Sequence, residues 1–224
     1  MEAVLSSESV NTDVLPGNLS YGLDPTGSWC THKREATVFA LGNLYSPAGA
    51  QMISIPFGSS SERMIPESVY FSANFTNKEA KPLVPADPDP SVLFERMDIR
   101  MGGQLVESLT EYARCNTLFT RLTMSAAKKL QVSQMGFGTD VPATSAVPYF
   151  DAAVNHKAEP VAAGATVRIF WKLHLSALLS QHRWLPLFAL SGQGLVINLF
   201  LAPFADSLTK SGTTNSMTYE LSDV

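Results

Sequence analysis

The sequence predicts an all-β, antiparallel fold with a short helix or two carried in its long connections. Three observations point there. Apolar residues recur at every second position in several runs, 14 glycines and 14 prolines are dispersed between those runs, and helical signals are confined to one region.

Residues 1–33 show no sustained period and are rich in Ser, Asn, Asp, Gly and Pro, which predicts an extended N-terminal arm. A short apolar strand is expected over 37–44. Over 51–57, Ile53, Ile55 and Phe57 alternate with Met52, Ser54 and Pro56. The cleanest half-buried strand is 67–77, where Val69, Phe71, Ala73 and Phe75 alternate with Tyr70, Ser72, Asn74 and Thr76. A proline-rich loop, NKEAKPLVPADPDP, covers 77–90. Over 93–101, Leu93, Met97, Ile99 and Met101 face one way while Arg96, Asp98 and Arg100 face the other. Gly102-Gly103 supplies the positive φ of a hairpin turn, and 104–107 pairs back. Ser108 to Glu111 has the spacing of a capping box, opening a helix whose Leu109, Tyr112, Ala113, Phe119 and Leu122 share a face.

Residues 126–132 add a further helical turn or two. The connection 136–164 contains Pro142, Pro148 and Pro160 and has little pattern. Over 166–176, Val167, Ile169, Trp171, Leu173 and Leu175 alternate with Arg168, Phe170, Lys172 and His174. The run 195–202 is almost continuously apolar, and another strand begins at 217. Seven or eight strands separated by long excursions fit an eight-stranded jelly-roll sandwich better than a meander of short turns. The expected division is an arm (1–33), a jelly-roll domain (34–216) and, over 217–224, the start of a strand or linker toward a second such domain.

Charged residues make up 16% of the chain, below the ordinary ~25%. A surface needing so little charge is expected to be covered in part by partners. The net charge of −4, without a lysine or arginine block, points to no specific nucleic-acid site. No apolar run reaches the ~18 residues of a membrane span, and the first twenty residues lack the pattern of a secretion signal. Cys30 and Cys115 fit no metal-binding spacing and are expected to be reduced.

The search for chemistry finds no converging motif. His32, His156, His174 and His182 are scattered, and the neighbours of His174 on its strand, Lys172 and Ser176, exclude the paired histidines of a cupin. Ser191 lacks the preceding glycine of a nucleophile elbow, Ala189 standing there instead. Gly102-Gly103 lacks the lysine and serine of a phosphate loop, and Asp87 and Asp89 are too few for calcium. No catalytic residue, cofactor or metal is expected.

The run Met97-Asp98-Ile99-Arg100-Met101-Gly102-Gly103-Gln104-Leu105-Val106-Glu107, followed by the aromatic-bearing helix from Tyr112, resembles a signature of major capsid proteins of the double jelly-roll type in large double-stranded DNA viruses. A second segment, Arg183-Trp184-Leu185-Pro186-Leu187 and then Gly194-Leu195-Val196-Ile197-Asn198-Leu199, is similar to that family's first jelly roll near its end. The Ile-Asp pair usual after the glutamine is Leu105-Val106-Glu107 here.

The resemblance implies a structural signature at Gly102, Gly103, Gln104, Tyr112, Pro186 and Gly194. It also implies a chain that assembles with copies of itself, as homotrimers within an icosahedral shell lattice, alongside minor capsid proteins. Localisation would be the virion, assembled inside the host cell. Two alternatives stand beside it. One is a jelly-roll carbohydrate- or receptor-binding module using Trp29, Trp184 or Tyr149; the other is the single-jelly-roll shell protein of a small RNA virus.

Overall fold

Twelve strands and three α-helices occur among the residues that the computed structural model describes: 33–49, 51–58, 61–138, 158–190, 194–209 and 218–224. In chain order these are β1 (Leu44–Tyr45), β2 (Met52–Phe57), β3 (Arg63–Met64), β4 (Phe71–Asn77), β5 (Val84–Pro85), β6 (Phe94–Met101) and β7 (Gln104–Thr110). Then come α1 (Tyr112–Thr123), α2 (Ala126–Met135), β8 (Thr166–Trp171), β9 (Leu185–Pro186), β10 (Leu195–Leu201), α3 (Phe204–Ser207), β11 (Leu208–Thr209) and β12 (Tyr219–Ser222). The chain divides into residues 1–37, of which 33–37 are described and exposed, and residues 38–224, which hold the sheets found among the described residues.

All pairings are antiparallel. One four-stranded sheet has the order β1-β12-β4-β8 and the other β2-β10-β6-β7. Taking these eight strands in chain order, the fourth pairs the fifth, the third the sixth, the second the seventh and the first the eighth. The pairing is therefore nested, like one long hairpin wound on itself. The expected count of eight is exceeded because the long connections pair with each other, β3 with β9 and β5 with β11. Buried backbone needs hydrogen-bond partners, and a two-residue ladder is the shortest way to supply them.

Alternation places the core. Ile53 and Ile55 of β2, Phe71, Ala73 and Phe75 of β4, Ile169 and Trp171 of β8, and Leu195, Ile197 and Leu199 of β10 are buried in one cluster. Phe94 of β6 lies 5.2 Å from Trp171 of β8, ring to ring, so residues of both sheets meet in that cluster. Phe71 stacks on Trp171 and Phe75 on Tyr219, at 5.7 and 5.0 Å. On the opposite face of the first sheet, Ser72, Asn74 and Lys172 are half-buried and Arg168 is exposed. This is the register that the period of two predicts.

Several expectations are corrected. The strand expected over 37–44 is reduced to Leu44–Tyr45; the preceding residues are extended, with Ala40 N–H donating to Val224 O and Leu41 N–H to Ser54 O, both at 2.9 Å. The strand expected from 67 starts at Phe71, because Pro66 opens a 3-10 turn over Pro66–Ser68. The strand expected to reach 176 ends at Trp171. The capping box at 108–111 does not form: β7 runs through Thr110 and the helix starts at Tyr112, after Glu111 in the left-handed region at φ 55°. Leu109 is consequently a strand residue, while Phe119 and Leu122 of the expected buried face are exposed.

The 77–90 loop is packed against the rest of the chain. Leu83, Pro85, Pro88, Asp89 and Pro90 are buried within this chain, and Asn77 Nδ2 lies 2.9 Å from the carbonyls of Lys81 and Val161 and 3.1 Å from that of Ala162. Most of the 136–164 connection, residues 139–157, lies outside the described residues. Its flanks are anchored by Phe137, packed edge-on against Phe75, and by the Leu83–Val161 bridge. Residues 219–222 form β12, between β1 and β4 in the interior of their sheet.

Candidate functional site

The β6–β7 hairpin organises the region that the sequence singles out. Gly102 and Gly103 have φ of 56° and 85°, the double left-handed turn that joins two strands through a two-residue loop. Side chains with a Cβ rarely adopt this conformation, which explains the glycine pair. Gly102 N–H donates to Gly194 O at 2.9 Å, and Gly194 has φ 64° at the entry to β10. Three of the six signature residues thus meet at one end of the β10–β6–β7 ladder. Gln104 is exposed opposite Met101. The other two lie apart: Pro186 pairs with Arg63 in the β3–β9 ladder, and Tyr112 is fully buried at the start of α1. Burial pushes the Tyr112 phenol well above its usual range.

Carboxylates position the connections around this hairpin. Glu107 of β7 accepts hydrogen bonds from Ser176 Oγ, Ala177 N–H and Leu178 N–H, at 3.0, 2.8 and 3.3 Å, and so holds the turn that follows β8. Asp89 caps the 3-10 turn at Pro90–Leu93 by accepting from Ser91 N–H at 3.0 Å, and it accepts from Asn116 Nδ2 of α1 at 2.7 Å. Burial raises the Asp89 carboxyl to about 6, against the lowering effect of its Ser91 hydrogen bonds. Beside it, Asp87 pairs with Arg121 at 3.2 Å. This cluster locks α1 onto the 77–90 loop.

Among the described residues, chemistry-bearing side chains do not gather elsewhere to hold a metal: no three His, Cys, Asp or Glu side chains are grouped for it. His174 is lowered to about 4, by burial first and by Lys128 and Lys172 second, and His182 pairs with Glu67 at 2.6 Å on the surface. His32, His156, Cys30, Trp29, Tyr149, Asp140, Asp151 and Ser191 lie outside the described residues; Cys115 is a free thiol on the surface. No helix among the described residues is long and apolar enough to cross a membrane.

The two outward sheet faces differ. On the β1-β12-β4-β8 sheet the outward residues of the two central strands are Ser72, Asn74, Thr76, Glu220 and Ser222. On the β2-β10-β6-β7 sheet, β2 and β10 turn Met52, Ser54, Pro56, Val196, Asn198 and Phe200 outward. Beside them Arg96 grips Asp98 through Nε and Nη2, at 2.8 and 2.6 Å, and Ser108 Oγ donates to the same carboxylate at 2.7 Å. The Asp98 side chain is only 3% exposed, and the Arg96 guanidinium also lies over the Phe200 ring at 5.2 Å. Sequence reasoning missed this face, although the near-continuous apolar run of β10, which sets Val196 and Phe200 outward on either side of Asn198, was its signal.

No known family model and no curated protein matches the chain. Among solved structures, the chain is similar to VP54 of PBCV-1, in a crystal structure fitted into a reconstruction of the virophage Sputnik, at 14% identity and a TM-score of 0.47. It is also similar to a chain of the quasi-atomic model of the PBCV-1 virus capsid, at 13% identity and a TM-score of 0.44. Each likeness covers 86% of this chain and 44% of the other, so the chain spans less than half the length of either.

Proposed function

We propose that this chain is a structural shell protein: a jelly-roll sandwich that associates with copies of itself, as trimers, into an icosahedral viral capsid. The observation that carries the reading is the nested strand pairing, first with eighth through fourth with fifth, which is the topology of a jelly roll. The shared core of the two four-stranded sheets supports the sandwich. The carboxylates described above support a structural role, since each one spends its hydrogen bonds on turns, helix anchoring or a sheet face.

In this reading residues 1–33 are an arm and the jelly-roll domain runs from 34 through β12, because β12 lies between β1 and β4. Gly102, Gly103, Gln104, Tyr112, Pro186 and Gly194 act as fold-positioning signature residues, three of them at the Gly102–Gly194 contact. Minor capsid proteins are further partners, and the virion is where the chain resides.

Sedimentation velocity and electron microscopy of the full chain test this. Trimers or larger particles are expected. A monomer persisting at high concentration overturns the self-association reading.

A further inference from the structure

We infer that the exposed apolar stripe of α1 is the docking site for the N-terminal arm, residues 2–15, of a second copy of this chain. The inference rests on the self-association reading and adds to it the two surfaces that meet. Cys115, Leu118, Phe119 and Leu122 are spaced i, i+3, i+4 and i+7, which sets them on one side of the helix. An amphipathic helix ordinarily turns such a stripe toward the core. Here the adjoining side is packed instead. Tyr112 and Asn116 are fully buried, while Leu118, Phe119 and Leu122 are 60%, 39% and 76% exposed and Cys115 is a surface thiol. The Asp89–Asn116 hydrogen bond fixes that orientation, so the helix cannot roll its leucines inward without taking a partner from the Asp89 carboxyl.

Size and charge select the occupant. At 1.5 Å per residue the stripe runs roughly 11 Å from Cys115 to Leu122 and is one helix wide. That is far short of the ~800 Å² per partner of a standard interface between folded domains, and it suits a short linear segment with a few apolar anchors. Arg114 and Arg121 border the stripe, at i−4 and i+3 from Leu118, and Lys128 and Lys129 follow on α2; residues 112–135 hold these four cations and no acid. Arg114 is shared with Glu111 and Asp206 and Arg121 with Asp87, while Lys128 and Lys129 have no ion-pair partner among the described residues. Residues 1–32 are the reverse. They hold Glu2, Glu8, Asp13 and Asp24 and no lysine or arginine, so the arm carries the whole −4 of a chain whose other charges balance. Within it Val4, Leu5, Val10, Val14 and Leu15 are interspersed with the first three acids, the composition that complements an apolar stripe bordered by cations. Residues 16–32 leave a tether able to span up to roughly 60 Å, more than the width of a domain of this size.

The test is photo-cross-linking from the stripe itself. The full chain carrying Cys30→Ser bears a diazirine on Cys115, its remaining thiol, and is mixed with an equal amount of isotopically labelled chain, so that mass tells cross-links between copies from those within one. Sedimentation velocity is run in parallel on Leu118→Glu with Leu122→Glu, beside Phe170→Glu on β8 as control. The two leucines are exposed and glutamate is a good helix former, so the pair is expected to melt like the parent. Cross-links from Cys115 to residues 2–15 of the other copy, with association weakened about tenfold in the leucine pair and kept in the control, support the inference. The arm variant Glu2→Gln, Glu8→Gln, Asp13→Asn is expected to cut the cross-link yield about threefold, and an unchanged yield overturns the choice of the arm. A parent that associates while its cross-links reach only its own arm, or only residues 33–224 of the neighbour, overturns the inference and leaves the shell reading intact. Association unchanged in the leucine pair, or lost equally in the control, does the same. A parent that stays monomeric overturns the shell reading itself.

Discussion

The two four-stranded sheets share one core but present opposite outer surfaces. Both carry an arginine over an aromatic ring: Arg168 over Phe170 on one face at 5.7 Å, and Arg96 over Phe200 on the other at 5.2 Å. Arg168 reaches only Ser72 Oγ at 3.3 Å and is exposed, whereas Arg96 closes on a buried carboxylate. A charge that faces bulk water needs no partner. A carboxylate as buried as Asp98 needs one, because leaving it unpaired costs several kcal/mol. The two faces thus differ in how they hold an arginine, Arg96 against a buried carboxylate and Arg168 against solvent.

The largest effect is expected at a residue that both sheets share. Phe71→Ala removes a ring stacked on Trp171 and should cost ~3–5 kcal/mol in a denaturant melt. An outward substitution of similar size, Phe170→Ala, should stay within ~1 kcal/mol. A larger loss at Phe170 than at Phe71 would show the register to be inverted.

Asp89 and Asp98 are both buried, and Asp98 has the Arg96 guanidinium beside it whereas Asp89 is held by Ser91 and Asn116. The Asp89 carboxyl is raised from 3.8 to about 6 by burial, so the folded state holds this proton more tightly than the unfolded one. Its stability contribution is fully present below pH 3.8 and is lost as the pH rises through about 6. At ~1.4 kcal/mol per pKa unit the loss is at most on the order of 3 kcal/mol. Urea midpoints measured from pH 4 to 7 should fall in the parent and flatten in Asp89→Asn. An identical slope in both would remove Asp89 as the cause.

Arg96→Ala leaves the Asp98 carboxylate with Ser108 alone and should cost ~1–3 kcal/mol, less than a fully buried pair because the guanidinium is partly exposed. Arg168→Ala should change stability by no more than ~0.5 kcal/mol. If the two arginine variants melt alike, the difference between the faces is only one of appearance. Gly103→Val, at φ 85°, should cost ~1–3 kcal/mol through strain at the turn and disturbed β6–β7 pairing. A variant as stable as the parent would mean that another turn geometry is accessible.

Much of the scaffold was legible from local pattern. The strands with clean alternation, β2, β4, β6 and β8, lie where period two placed them, and the left-handed glycine turn follows from Gly102-Gly103, because backbone sterics act on the residues themselves. Helix α1 was legible as a helix but not in its orientation. Tyr112 of the expected face is buried, but beside it the chain buries Asn116 rather than Phe119 and Leu122, since Asp89, far away in sequence, accepts from Asn116.

The candidate surface was the least legible part. Alternation along a strand tells which residues share a face and is silent on which face meets the other sheet and what its neighbours add. Met52, Val196 and Phe200 become a patch only when β2 and β10 pair, and Asp98 is a buried charge only when Arg96 and Ser108 close on it. Local sterics and periodicity therefore determined strands, turns and core positions. Long-range pairing decided which side chains stand together, because burial and charge compensation depend on neighbours that chain order does not reveal.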